Sequence, residues 1–101
     1  MKFVKVASKK EMPAGKMKLV EVNATPVLLS NVAGEYYAIG NKCTHRGCQL
    51  SDGILNGEII KCPCHGSSFN VKTGEVLHGP ATRPEPKYEV KIEEEQILVS
   101  T

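Results

Sequence analysis

All four cysteines of this chain, and two of its three histidines, fall in two short runs: "CTHRGC" at 43–48 and "CPCH" at 62–65. Soft ligands so concentrated in a small chain point to a disulfide scaffold, a metal site or redox chemistry. Compartment helps to separate these, because structural disulfides accumulate in secreted proteins. The N-terminal stretch "MKFVKVASKKEMPAGK" has no long apolar run and no twin arginine, so it reads neither as a signal peptide nor as a membrane span. Taken as complete, the chain is expected to be soluble and cytoplasmic, where clustered cysteines more often mean metal or redox chemistry.

Length strengthens the same inference. A chain of 101 residues is one domain, and a domain of this size buries only about 65% of its unfolded surface. With five aromatic residues and no tryptophan its core is modest, and small cores lean on staples such as metal or disulfide. Thirteen basic and eleven acidic residues are spread without a basic block, which argues against nucleic acid as the main partner.

The rest of the sequence predicts strands. "FVKV" reads as a first strand, and "KMKLVEV" (16–22) alternates in part with period two. "TPVLLSNV" (25–32) and "EYYAIG" (35–40) flank Gly34 as a hairpin. Asn56-Gly57 is the strongest two-residue hairpin signal, "FNVKTGEVL" turns at Thr73-Gly74, and "KYEVKIEEEQILVS" (87–100) gives a last hairpin turning in the glutamate run 93–95. No window carries a helical stripe. The fold class is therefore all-β, with short antiparallel strands at close spacing. "PATRPEP" (80–86) is a proline-rich coil. The expected arrangement is one domain over 1–101, in which the paired chain ends form a base (about 1–40 and 80–101) and the middle (about 41–79) is a subdomain inserted on top.

Written as spacing, the middle is Cys43-x-His45, sixteen residues, then Cys62-x2-His65, so each run offers one thiolate and one imidazole. Cys48 and Cys64 stand beside them. Zinc can be held tetrahedrally by two cysteines and two histidines, or by four thiolates. In the usual zinc finger, however, cysteine pairs with cysteine and histidine with histidine on a helix, and the four-thiolate set leaves both histidines unexplained. A two-iron cluster with two cysteines on one iron and two histidines on the other accounts for one Cys/His pair per run. Colour separates the two: a zinc protein is colourless, the iron protein reddish-brown.

The runs also carry a resemblance. "CTHRGC" and "CPCHGSSF" resemble the two cluster loops of Rieske iron–sulfur proteins, and the resemblance extends through "LSDG", "TGE" and "GPATRPEP" to the last hairpin, roughly residues 35–101. It implies the Rieske fold, an antiparallel β-sandwich with a cluster-binding subdomain at one tip, and one [2Fe-2S] cluster. It implies that Cys43 and Cys62 ligate the inner iron and that His45 and His65 ligate the outer one, with their free ring nitrogens near the surface. By the same resemblance Cys48 and Cys64 match the cysteines that form a disulfide between the loops in the respiratory branch of the family, a pair that many ferredoxins serving aromatic-ring oxygenases lack.

The ligand set has a redox consequence. With two ferric ions, two sulfides and two thiolates the centre is neutral, so an electron enters more easily than into an all-thiolate cluster. Such centres span roughly −150 to +300 mV, against about −400 mV for plant-type ferredoxins. Ser67 occupies the position from which high-potential relatives aim a hydroxyl at a bridging sulfide. Phe69 stands where they carry a tyrosine, so one donor is missing and an intermediate-to-high potential is expected. Backbone N–H groups at Gly47 and Gly66 are further expected donors, and Pro80 opens the loop that limits water access in the family. The potential is expected to fall as pH rises, because oxidation acidifies the bound imidazoles. His78, without a cysteine partner, reads as structural or exposed. Lys42, Arg46 and Lys61 flank the ligands and suit an acidic partner as well as they suit plain solvated surface.

The resulting expectation is a one-electron carrier, a Rieske-type ferredoxin, and not an enzyme, since the chain has no mononuclear iron motif and is too short for an oxygenase catalytic domain. Electrons would pass through the His45/His65 edge to docked redox partners, a reductase and an oxygenase or other acceptor, with a monomer as the default. Two specific settings compete. One is the ferredoxin component of a multicomponent oxygenase. The other is the soluble head of a respiratory or arsenite-oxidising complex, favoured by Cys48 and Cys64 and disfavoured by Phe69 and the lack of an N-terminal anchor.

Overall fold

Period-two alternation and closely spaced turns fold into ten strands in the computed structural model of the chain, which describes residues 2–44, 47–64 and 66–101. Among the described residues the strands are β1 (Val4–Ser8), β2 (Met17–Val22), β3 (Thr25–Val32), β4 (Glu35–Gly40), β5 (Ile54–Asn56), β6 (Ile59–Lys61), β7 (Ser68–Asn70), β8 (Val76–His78), β9 (Lys87–Glu93) and β10 (Gln96–Ser100). Helical structure among these residues is limited to two 3-10 turns, Lys9–Glu11 and Leu50–Asp52, as the missing helical stripe requires. No helix there is long and apolar enough to cross a membrane.

The two ends of the chain build one six-stranded antiparallel sheet in the order β1-β10-β9-β4-β3-β2. It folds over at β9. Lys87 and Tyr88 pair with Ile39 and Ala38 of β4, whereas the rest of β9 pairs with β10. Edge strands β1 and β2 then meet, and the sheet becomes a sandwich. Val20, Val22, Val27, Leu29 and Ala38 from one half pack against Ala7, Ile97 and Val99 from the other, with Met12 closing the end.

Strand β3 explains how a second layer attaches. Successive strand residues point to opposite faces, and Val27, Leu28 and Leu29 are all fully buried. Val27 and Leu29 enter the sandwich core, while Leu28 enters a separate core with Ile39, Leu50, Ile60, Phe69, Val71 and Ala81. A strand buried on both faces reads as a continuous apolar run rather than an alternating one, which is what "PVLL" is. Fully burying each such side chain contributes about 1.5–3 kcal/mol. This second core is roofed by the short four-stranded sheet β5-β6-β7-β8, inserted between β4 and β9.

Two hairpin details differ from the sequence reading. The β5–β6 pairing of Asn56 with Ile59 places Gly57 and Glu58 in the loop, one residue beyond the expected Asn56-Gly57. Of the two loop residues only Gly57 has a positive φ, +64°, which suits a turn with glycine at its first central position. The β2–β3 hairpin turns at Asn23 and Ala24, both in the left-handed region (φ +50° and +67°). Alanine gives no sequence signal for such a turn.

Candidate metal centre

The two cysteine-rich runs become two closed loops. The first, between β4 and β5, is drawn in by its own backbone: Cys43 N–H donates to Cys48 O, Gly47 N–H donates to Cys43 O (2.7 Å each), and Lys42 bridges Gln49. The second, between β6 and β7, closes where Cys62 N–H donates to Ser67 O at 2.7 Å. Each loop therefore carries a cysteine at its neck. Cys43 is 4% exposed and Cys62 3%, and both belong to the second core beside Leu50, Phe69 and Ala81.

Cross-links hold the loops to each other and to the segment that follows β8. Cys48 and Cys64 are joined by a disulfide, with their Cα atoms 6.5 Å apart. The sulfur atoms of Cys48, Cys62 and Cys64 lie within 4.8 Å of one another, so the staple sits directly against a neck cysteine. A disulfide sulfur is not a thiolate, which excludes zinc held by all four cysteines. The segment 79–86 forms a strap across both loops. Thr44 Oγ1 donates to Arg83 O at 2.6 Å, and Ala81 N–H donates to Ser67 Oγ at 3.0 Å.

The motif glycines act by close approach. A Cβ on Gly53, of "LSDG", would collide with the Lys61 carbonyl, and one on Gly74, of "TGE", with the Glu85 carbonyl. Gly74 also needs its φ of +81°, which side chains rarely adopt. Its carbonyl accepts the Glu85 N–H at 2.8 Å, docking the strap on the β7–β8 turn.

The expected residues fare differently. His45, Arg46 and His65 lie outside the described residues. Ser67 is buried, and its hydroxyl is fixed by the Ala81 N–H with its own proton left to donate. Phe69 is fully buried in the same core as the neck cysteines. The Gly47 N–H donates to the Cys43 carbonyl, whereas the Gly66 N–H donates to no described residue. Pro80 is exposed, and the strap is buried instead at Ala81 and Glu85. His78 is exposed at the end of β8. Lys42 and Lys61 are exposed.

Sequence reasoning missed Glu85. It is 4% exposed, its Oε2 has no hydrogen-bond partner among the described residues, and it stands against Gly40, the last residue of β4. Burial pushes its carboxyl up to about 7, offset in part by a hydrogen bond from the Thr44 backbone. Tyr88 is also raised, first by burial and then by the Glu85 charge. No sequence signal could have flagged this glutamate, because a lone acidic residue between prolines is normally solvated.

Two buried cysteines at the necks of stapled loops, on an antiparallel β base, make a site with the thiol donors of a soft-metal centre. The comparisons with known proteins agree. The profile of the Rieske [2Fe-2S] domain matches residues 2–94. The ferredoxin component of naphthalene 1,2-dioxygenase/salicylate 5-hydroxylase systems from Ralstonia sp. is 38% identical over 96% of this chain and 93% of its own length. Human apoptosis-inducing factor 3 is 39% identical over 89% of this chain, which spans only 15% of that protein. Among solved structures, a chain of the complex of reduced oxygenase and oxidized ferredoxin in carbazole 1,9a-dioxygenase superposes with a TM-score of 0.92 at 36% identity, over 97% of this chain and 92% of that one. The chain belongs to the Rieske [2Fe-2S] family and carries one [2Fe-2S] cluster. The residues fit that group: two thiol side chains screened from water, a fixed buried hydroxyl, and a strap over both loops.

Proposed function

We propose that this chain is a soluble, monomeric, cytoplasmic ferredoxin that carries single electrons from a reductase to the terminal oxygenase of a multicomponent system. It performs no catalysis of its own. One domain serves both needs, a rigid base (1–40 and 80–101) and a cluster-bearing part (41–79). Cys43 and Cys62 hold the inner iron and His45 and His65 the outer, and the bound cluster supplies reversible one-electron chemistry. The chain's own residues exclude water and fix the loops: Leu50, Phe69 and Ala81 wall the buried side, and Cys48–Cys64 locks one loop to the other. Ser67 presents a hydroxyl held in place by Ala81, a donor that favours the reduced, more negative state. Beside Cys62, Asp52, Ile54, Lys61, Pro63 and Gly66 line an open depression of about 440 Å³, and Ile54 is 70% exposed. That depression suits a docking partner with an apolar contact close to the centre.

The observation that carries the reading is the pair of loops, each closed at a buried cysteine and stapled to the other. The oxygenase setting is favoured by near-full-length similarity to oxygenase ferredoxins. A potentiometric titration at several pH values, followed by EPR, tests it. The expected result is a Rieske-type spectrum, nitrogen couplings lost in His45→Ala and His65→Ala, and a potential that falls as pH rises. Protein without iron and acid-labile sulfide after anaerobic reconstitution, or a spectrum of all-thiolate ligation, would overturn it.

A further inference from the structure

Among the described residues Glu85 is the one buried carboxylate, and it has no part in the site described above. Burying a carboxyl with an oxygen left unpartnered is costly, so its surroundings matter. Its backbone is pinned by the Gly74 carbonyl, and its side chain stands against Gly40. Thr44, the residue between Cys43 and His45, lines the same shallow depression as Glu85. Thr44 is held through its hydroxyl, on Arg83 O. The strap therefore grips the first loop at Thr44, with the Glu85 carboxyl beside that grip.

The charged groups around Glu85 leave it uncompensated. Lys42 of the first loop and Tyr88 of β9 line the same shallow depression as Glu85. Arg83 lies two residues back on the strap, and Lys72 and Glu75 flank the turn at Gly74, which meets Glu85 with backbone. None of these forms an ion pair with Glu85 among the described residues. Its own protonation is thus the direct way for this carboxyl to lose its charge.

We propose that Glu85 is a positioning residue for the iron centre: it seats the loop that starts at Cys43, and it sets a titratable charge against that loop, so that uptake of an electron by the centre is coupled to uptake of a proton by Glu85. The electron comes from the reducing partner and the proton from solvent, and both leave when the carrier is oxidised. Added negative charge at the centre favours neutral Glu85, and ionised Glu85 disfavours the added electron. With a carboxyl poised near neutrality by burial, the coupling falls in the physiological range. The inference rests on the ligand assignment proposed above.

The test compares cluster-loaded wild type, Glu85→Gln and Glu85→Leu by voltammetry from pH 5 to 8.5, with EPR confirming the same cluster in each. Glutamine keeps the acceptor oxygen and the volume but cannot ionise; leucine removes both acceptor and charge. E85Q should match wild type at pH 5 and favour the reduced form threefold or more at pH 8.5, about 28 mV at 59 mV per tenfold, with the difference developing around neutrality. Histidine-linked titration is common to both proteins and drops out of the difference. E85L should lose hydrogen-exchange protection at the Thr44 amide, and E85Q should retain it. Redox-difference infrared spectra of wild type at neutral pH should show a protonated carboxyl on reduction that E85Q lacks. Loaded variants whose potentials differ from wild type by a pH-independent amount, or not at all, would overturn the Glu85 coupling while leaving the carrier reading intact. Wild type that binds no cluster would overturn both.

Discussion

Replacing Cys48 and Cys64 together by serine isolates what the staple contributes. The two positions are 16 residues apart in sequence, and closing a loop of that length removes enough unfolded-state entropy to stabilise the fold by about 3 kcal/mol. The substitution should cost little else, because Cys64 is exposed and Cys48 only half-buried. For a chain of this size a loss of that magnitude lowers Tm by roughly 10–25 °C. Both cysteines must go, since a single serine would leave a thiol within reach of Cys62, whose sulfur lies within 4.8 Å of both staple sulfurs. Urea denaturation of the iron-free protein is the direct assay, because no cofactor binding then contributes to the measured stability. The midpoint should fall and the m-value should rise, as an uncross-linked chain unfolds to a more open ensemble. A loss below about 1 kcal/mol, with m unchanged, would mean that the hydrogen bonds of the strap and the core around Leu50 and Phe69 hold the loops unaided, and the entropic argument would fail.

Three further outcomes follow from the packing. Gly74→Ala should cost about 2–4 kcal/mol, combining an unfavourable left-handed alanine with overpacking against the Glu85 carbonyl; a thermal midpoint equal to wild type would show that the strap is not seated on that turn. Phe69→Tyr should raise the reduction potential while leaving the fold intact, since Phe69 shares its core with Cys43 and Cys62 and a hydroxyl donor beside the centre favours its reduced state; an unchanged potential in a folded variant counts against this. Stability should fall as pH rises from about 4.5 to about 7, because Glu85, raised to about 7, binds more proton folded than unfolded across that window. A rise of that size corresponds to a loss of about 2–3 kcal/mol. Denaturant midpoints of wild type at pH 5 and pH 8 should differ accordingly, and those of Glu85→Gln should differ less; parallel behaviour of the two proteins would contradict the assignment.

Much of the architecture was legible because strands and turns are local. Alternation in 16–22, the turn at Gly34 and the glutamate run 93–95 each specify a nearby conformation, and each of these features lies in a strand or turn of the fold. The strand bounds 16–22 and 25–32 left only Asn23 and Ala24 for a turn, but its left-handed conformation was not legible at Ala24, which adopts it under the demand of the flanking β2–β3 pairing. The centre divides in the same way. Cysteine and histidine at those spacings announce a soft-metal site through side-chain type alone, and the resemblance of the two runs to Rieske cluster loops points to redox chemistry. Four thiols in two runs, however, look equivalent on spacing, and their separation into a joined pair and two buried neck residues depends on where β4, β6 and β7 place the loops. Glu85 is the extreme case. It is one of the chain's eleven acidic residues and carries no local mark. It is buried because the strap must cross between Gly40 and Gly74, two residues small enough to let it through. Side-chain chemistry with the resemblance of the two loops thus determined the class of protein, and short-range periodicity most of its strands. Burial, and with it the state of each thiol and the proton affinity of Glu85, was decided only by tertiary structure, because desolvation is a property of everything that surrounds a group and not of the group itself.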